Sequence, residues 1–190
     1  YQTGLRYPFG LCLNNANNRL YAAPQEGNFI YKIDISNPLM PLITEISLET
    51  SITPNYSPSI NPYEIVLSVD ESYYFVTCNK SAELRVMRTS NDSLLNTYST
   101  GSNPTGMVAS SKYLFISCLG VPGTNKKSVI NIFDLSSGNF LPEINAGHDS
   151  KGIVFDVTTN KLFVTNRNVS NGGPAAHHAP ACAGKNGYLT

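Results

Sequence analysis

The segment NPTGMVASSKYLFISC, residues 103–118, decides the reading of this chain. A Pro and a Gly lead into a short apolar run, a polar break follows, and a second apolar run ends on Cys118. β-Branched and aromatic residues dominate both runs, and neither is long enough for a helix. Each therefore reads as a strand and the pair as a hairpin. The question is whether this hairpin stands alone or recurs.

It recurs. YPFGLCLNNANNRLYAAP (7–24), NPYEIVLSVDESYYFVTC (61–78) and DSKGIVFDVTTNKLFVTN (149–166) follow the same plan. Pro8, Pro62 and Pro104 align, with Ser150 in the fourth copy. Gly10, Gly106 and Gly152 align, with Glu64 as the exception. The first run then places Leu11, Ile65, Met107 and Ile153 together. The second run aligns Leu20, Tyr74, Leu114 and Leu162, then Tyr21, Phe75, Phe115 and Phe163, then Ala22, Val76, Ile116 and Val164. The period is irregular but lies near the mid-forties, and agreement at this many columns is not chance.

Each copy continues alike. A third β-rich run follows (NFIYKIDIS at 28–36, ELRVMRTS at 83–90, SVINIFDLS at 128–136), then a turn and a fourth (LITEISL at 42–48, LLNTYST at 94–100, LPEINAG at 141–147). Asp34 and Asp134 close the third run, where a carboxylate accepts backbone N–H groups of the next turn. Arg88 breaks that pattern, so its turn is expected to be built differently. Four short strands per unit of about 40–50 residues is the signature of a β-propeller blade. The fold class is therefore all-β, a propeller of four-stranded antiparallel blades with starts near 7, 61, 103 and 149.

The Pro-x-Gly opening, LFVTN at 162–166 and INIFDLSSG at 130–138 resemble the YVTN-type propeller repeat. That resemblance covers nearly the whole chain and implies a protein of the bacterial or archaeal surface or periplasm. The absence of Trp removes the Trp-Asp pair of WD40 repeats. YQTG at the start matches the end of a fourth strand (YSTG, 98–101), and GYLT at 187–190 matches the start of a third. The expectation is an incomplete arc of a seven-bladed ring, with the remaining blades supplied by a longer parent chain or by other chains.

Composition bounds the function. Lys plus Arg equals Asp plus Glu at 13 each, which argues against nucleic acid, whose phosphates select clustered basic charge. Only 14% of residues are charged, and Asn, Ser, Thr and Tyr supply the polarity instead, as on secreted and envelope proteins. No stretch reaches the roughly 18 apolar residues of a membrane span. Cys12, Cys78, Cys118 and Cys182 form no C-x-x-C pair. The first three are expected to be small apolar residues inside strands.

The residues 166–187, NRNVSNGGPAAHHAPACAGKNG, form the longest insertion between a second and a third strand. His177, His178 and Cys182 are ligand types suited to copper or zinc, with His148 as a further candidate. Adjacent histidines diverge, and no carboxylate stands near to orient them, so the plainer expectation is a surface loop with solvated histidines. No G-x-S-x-G or H-E-x-x-H occurs, and GVPGTNKKS (120–128) has the wrong spacing for a phosphate loop. Glu64, Asp70 and Glu71 have no partner in a recognisable acid–base pattern, and Glu64 is expected as a solvated turn residue. The expected function is a non-catalytic scaffold of the envelope, periplasm or extracellular space. Its loops would bind a protein or glycan partner. The alternative is a copper- or zinc-dependent redox or enzymatic propeller using the His177/His178 loop.

Overall fold

The computed structural model describes residues 7–25, 27–49, 60–120, 127–167 and 187–189. Among them every regular element is a strand. Sheet I is β1 (Pro8–Leu13), β2 (Arg19–Pro24), β3 (Phe29–Asp34) and β4 (Leu42–Ser47), hydrogen-bonded in that order. Sheet II is β5 (Pro62–Leu67), β6 (Tyr73–Cys78), β7 (Glu83–Arg88) and β8 (Leu94–Ser99). Sheet III is β9 (Pro104–Ala109), β10 (Tyr113–Cys118), β11 (Val129–Asp134) and β12 (Asn139–Asn145). Sheet IV contains β13 (Ser150–Asp156), β14 (Lys161–Arg167) and β15 (Gly187–Leu189). All pairings are antiparallel meanders, the arrangement of a propeller blade. The chain divides into two compact units, Tyr1–Thr100 and Gly101–Thr190.

The repeat columns become ladder partners. Leu11 pairs with Ala22, Ile65 with Val76, Met107 with Ile116 and Ile153 with Val164. Two columns of the alignment thus sit opposite one another in every sheet. Four positive-φ residues, Tyr7, Asn61, Asn103 and Asp149, immediately precede the four first strands. Asn and Asp tolerate this left-handed conformation better than other residues with a side chain, which explains three of the four. A β-bulge follows each of them, with the register slipping between Pro8 and Gly10 and at the equivalent point of each sheet. Proline suits that place because a bulge excuses the missing donor.

In the first unit, Tyr21, Ala23, Ile30, Ile46 and Leu48 of sheet I meet Ile65, Tyr74, Val76, Cys78 and Met87 of sheet II. Each large side chain buried there contributes about 1.5–3 kcal/mol. Polar links frame this core. Lys32 Nζ lies 2.7 Å from Asp92 Oδ2, and Arg85 donates to the Leu48 carbonyl and to Glu83. In the second unit, Phe115, Ile130, Val108 and Ile132 of sheet III meet Val164, Ile153, Phe155 and Leu162 of sheet IV. The Phe115 and Phe155 rings stack at 5.4 Å.

The third-strand carboxylates behave as the sequence implies. Asp34 Oδ1 accepts the Ser36 N–H at 2.9 Å, and Asp134 Oδ1 accepts the Ser136 N–H at 2.8 Å. The turn after Arg88 is indeed different: Asn91 accepts from Ser93, and Asp92 takes a positive φ.

Candidate functional site

Within each unit the first strands of neighbouring sheets come together, β1 beside β5 and β9 beside β13. The bulge makes this approach possible and also frees a backbone N–H, which the second strand must satisfy. In sheet II the Glu64 N–H donates to Thr77 Oγ1 at 3.0 Å, and in sheet IV the Gly152 N–H donates to Thr165 Oγ1 at 2.9 Å. Between sheets III and IV a buried hydroxyl network does related work. Thr105 and Ser117 both donate to the Ser150 carbonyl, Ser150 Oγ donates to Asn166 Oδ1 at 2.5 Å, and the Ser150 N–H donates to Ser128 Oγ at 3.0 Å. These groups are satisfied by one another and hold the strands in place.

Glu64 is where the repeat departs from its pattern, and the structure corrects its expected role. It is not a solvated turn residue. It lies in β5, just past the bulge, and is half-buried. A Cβ on Gly10 would fall 2.7 Å from Glu64 Oε1 and 2.6 Å from the Tyr63 carbonyl, so Gly10 is the seat on which the carboxyl rests. Glu64 Oε1 accepts the Ile65 N–H at 3.2 Å, and no cation pairs with the carboxylate among the described residues. Burial pushes its pKa above the ordinary value. Beside it, burial also raises the Cys12 thiol, with the Glu64 and Glu71 charges adding to the effect. Glu71 accepts the Asn15 N–H, and Asp70 is held in its ionised form by the hydroxyls of Ser68 and Ser72. The arrangement can hold a proton or meet a cationic group, but it supplies no nucleophile poised for attack.

A second feature was not singled out from sequence. The β3–β4 hairpin turn, NPLMPL at 37–42, exposes Leu39, Met40 and Leu42 to 73%, 78% and 68%. Asn37 organises it: its carbonyl accepts the Met40 N–H at 3.0 Å, and its side chain accepts the Leu39 N–H at 3.2 Å. Pro38 and Pro41 stiffen both sides. Three apolar side chains flanked by two prolines were the available signal. Their exposure depends on where the neighbouring sheet stops, which the local sequence does not show.

The candidate metal ligands His177, His178 and Cys182 lie outside the described residues. His148 is half-buried in the β12–β13 connection. Among the described residues no three His, Cys, Asp or Glu side chains gather as a metal would require. Cys12, Cys78 and Cys118 are free thiols in strands, as expected. No described helix is long and apolar enough to cross a membrane.

No family model and no curated protein matches the chain. Solved structures do. Hydrazine synthase from Kuenenia stuttgartiensis is similar over 96% of this chain and 49% of its own, with a TM-score of 0.70 at 18% identity. A streptogramin B lyase is similar over 96% and 59%, with a TM-score of 0.67 at 14% identity. A nidogen/laminin complex is similar over 85% and 57%, with a TM-score of 0.63 at 17% identity. The chain thus spans about half the length of these proteins. At such identity the likeness concerns fold alone, and together with the repeated antiparallel meanders it makes this chain an incomplete β-propeller.

Proposed function

We infer that the chain is a non-catalytic propeller scaffold of the cell envelope or extracellular space that holds a protein partner through its loops. The observation that carries this reading is the β3–β4 hairpin turn, where Leu39, Met40 and Leu42 stand exposed on a rigid, Asn37-braced support. Exposed apolar side chains grouped on a stiff hairpin fit a protein surface better than a sugar, and propellers fix loop positions while leaving their sequence free. The low charge and the Asn-, Ser- and Thr-rich composition support an extracytoplasmic setting. The nidogen/laminin neighbour is a propeller-like protein solved in a complex.

The test compares wild type with a Leu39→Ser, Met40→Ser, Leu42→Ser variant. Both are used as bait in quantitative affinity enrichment from the native envelope fraction. Far-UV circular dichroism confirms that both are folded. The reading expects one partner enriched by wild type, bound directly on reconstitution, and lost at least tenfold with the variant. Undiminished binding by the variant removes the hairpin from the interface. The copper or zinc reading of His177, His178 and Cys182 is separate, and the metal content of purified protein decides it. A stoichiometric metal lost on His177→Ala would support that reading over a plain scaffold.

A further inference from the structure

Among the described residues three sheets end on a fourth strand, β4, β8 or β12, whose outer edge presents backbone groups that another strand can pair with. Two of these edges are interrupted. In β8 the register slips between Val86 and Met87, which leaves Leu95 as an extra residue. In β12 it slips between Ile130 and Ile132, and Pro142, which has no N–H to offer, lies in the bulge. Bulges and prolines are the means by which edge strands avoid stray partners. β4 has neither. Its six residues pair with β3 without a break, from Leu42 opposite Asp34 to Ser47 opposite Phe29.

The ladder also fixes which groups of β4 point outward. The Leu48 N–H donates to the Asn28 carbonyl at 2.7 Å, one step beyond the ladder's end. Bonded pairs alternate along an antiparallel ladder, so Leu42, Thr44 and Ile46 turn their N–H and C=O groups to β3. Ile43, Glu45 and Ser47 turn theirs away, and none of these three N–H groups has a partner among the described residues. Glu45 stands at the centre of the three, is exposed, and makes no ion pair with a described residue. Leu42, itself exposed, carries the bare hairpin turn into the strand. We propose that β4 receives an extended segment of the partner protein, which joins sheet I as a fifth strand and sets a lysine or arginine opposite Glu45. This inference rests on the hairpin as a protein contact and adds how the partner lies. The main chain of β4 supplies the pairing, Glu45 selects the charge, and the hairpin turn meets the apolar side chains beside it.

The test titrates the full chain with a blocked heptapeptide of sequence TVKVKVT, followed by amide NMR and residue-resolved hydrogen exchange. The expected result is saturable binding with a Kd of about 1 mM or tighter, with the Ile43, Glu45 and Ser47 amides shifted and slowed in exchange. The acidic peptide TVEVEVT should bind at least ~10-fold more weakly. Glu45→Gln keeps the N–H and should weaken TVKVKVT about 3-fold. Glu45→Pro removes the central outward N–H, leaves the bonds to β3 in place, and should weaken it at least ~10-fold. Circular dichroism checks that both variants fold, and Glu45→Gln carries the test if the proline variant does not. No saturable binding up to about 10 mM overturns the proposal, as does equal binding of the two peptides or undiminished binding by either variant. Shifts that fall on β8 or β12 overturn it as well, because the interruptions there then protect nothing. A wild-type dimer in sedimentation that Glu45→Pro dissolves also overturns it, since the edge then belongs to a second copy. Enrichment with the Leu39→Ser, Met40→Ser, Leu42→Ser variant judges the hairpin separately, so either reading can fail alone.

Discussion

Replacing Gly106 with Ala tests how closely β9 and β13 must approach. The added Cβ would lie 2.0 Å from the Lys151 carbonyl oxygen and 3.1 Å from Ile153 Cγ2. The first of these is backbone and cannot turn aside. The two strands must part by roughly 1.4 Å or more to restore an ordinary contact. That movement pulls on Thr105 and Ser117, whose hydroxyls reach the Ser150 carbonyl at 3.2 and 3.1 Å. Overpacking costs about 1–3 kcal/mol, and a lost hydrogen bond adds about 1 kcal/mol. The stiffer unfolded chain returns about 0.4–1 kcal/mol. The expected net loss is about 1–4 kcal/mol, or a fall in Tm on the order of 10 °C at the upper end. Urea and thermal unfolding followed by far-UV circular dichroism and tyrosine fluorescence measure it, since the chain has no Trp. Gly152→Ala is the internal contrast. Its Cβ would meet Thr165 Oγ1 at 2.8 Å, an exposed side chain that can rotate at the expense of its two hydrogen bonds with the Gly152 backbone, which water can replace. That substitution should cost about 1 kcal/mol. A Gly106→Ala protein as stable as wild type, or a Gly152→Ala protein that suffers more, would refute the close-approach argument.

Three further outcomes are expected. Thr77→Val keeps the shape but strands the Glu64 N–H, so it should lower stability by about 1–3 kcal/mol, while Thr77→Ser should restore most of it; paired urea melts decide. Ala82 holds a φ of 54°, and Ala82→Asn should raise stability by about 0.5–1 kcal/mol in the same melts, an effect absent if the turn carries no strain. Burial raises the Glu64 pKa above the ordinary glutamate value, so the folded protein binds this proton more tightly than the unfolded chain does. Its contribution is therefore full below the unfolded value and falls away as pH rises through the folded one. Glu64→Gln should gain stability over wild type as pH climbs from 4 toward 7, and a gap that is constant across that range would contradict the burial.

The architecture was largely legible because a blade repeats its packing. Leu11, Ile65, Met107 and Ile153 align in sequence for the same reason that each pairs with the Ala22, Val76, Ile116 or Val164 opposite it. The left-handed positions could be read at Asn61, Asn103 and Asp149, but not at Tyr7, whose type disfavours the conformation. Glu64 escaped because its seat is Gly10, a residue of another repeat, and only the approach of β1 to β5 joins them. Sequence placed it correctly after the Pro62 turn and wrongly in solvent. The hairpin residues Leu39 and Met40 escaped for a different reason: an apolar residue beside proline has the same local pattern in a covered loop as in a bare one.

The buried thiols give each unit its own reporter. Cys78 ends β6 in the first unit and Cys118 ends β10 in the second, and burial pushes both pKa values up to about 12. A protonated, enclosed thiol reacts with alkylating reagents only when the strand around it opens. Mass-resolved labelling of the untouched chain would time the breathing of either half without a dye, a tag or a substitution.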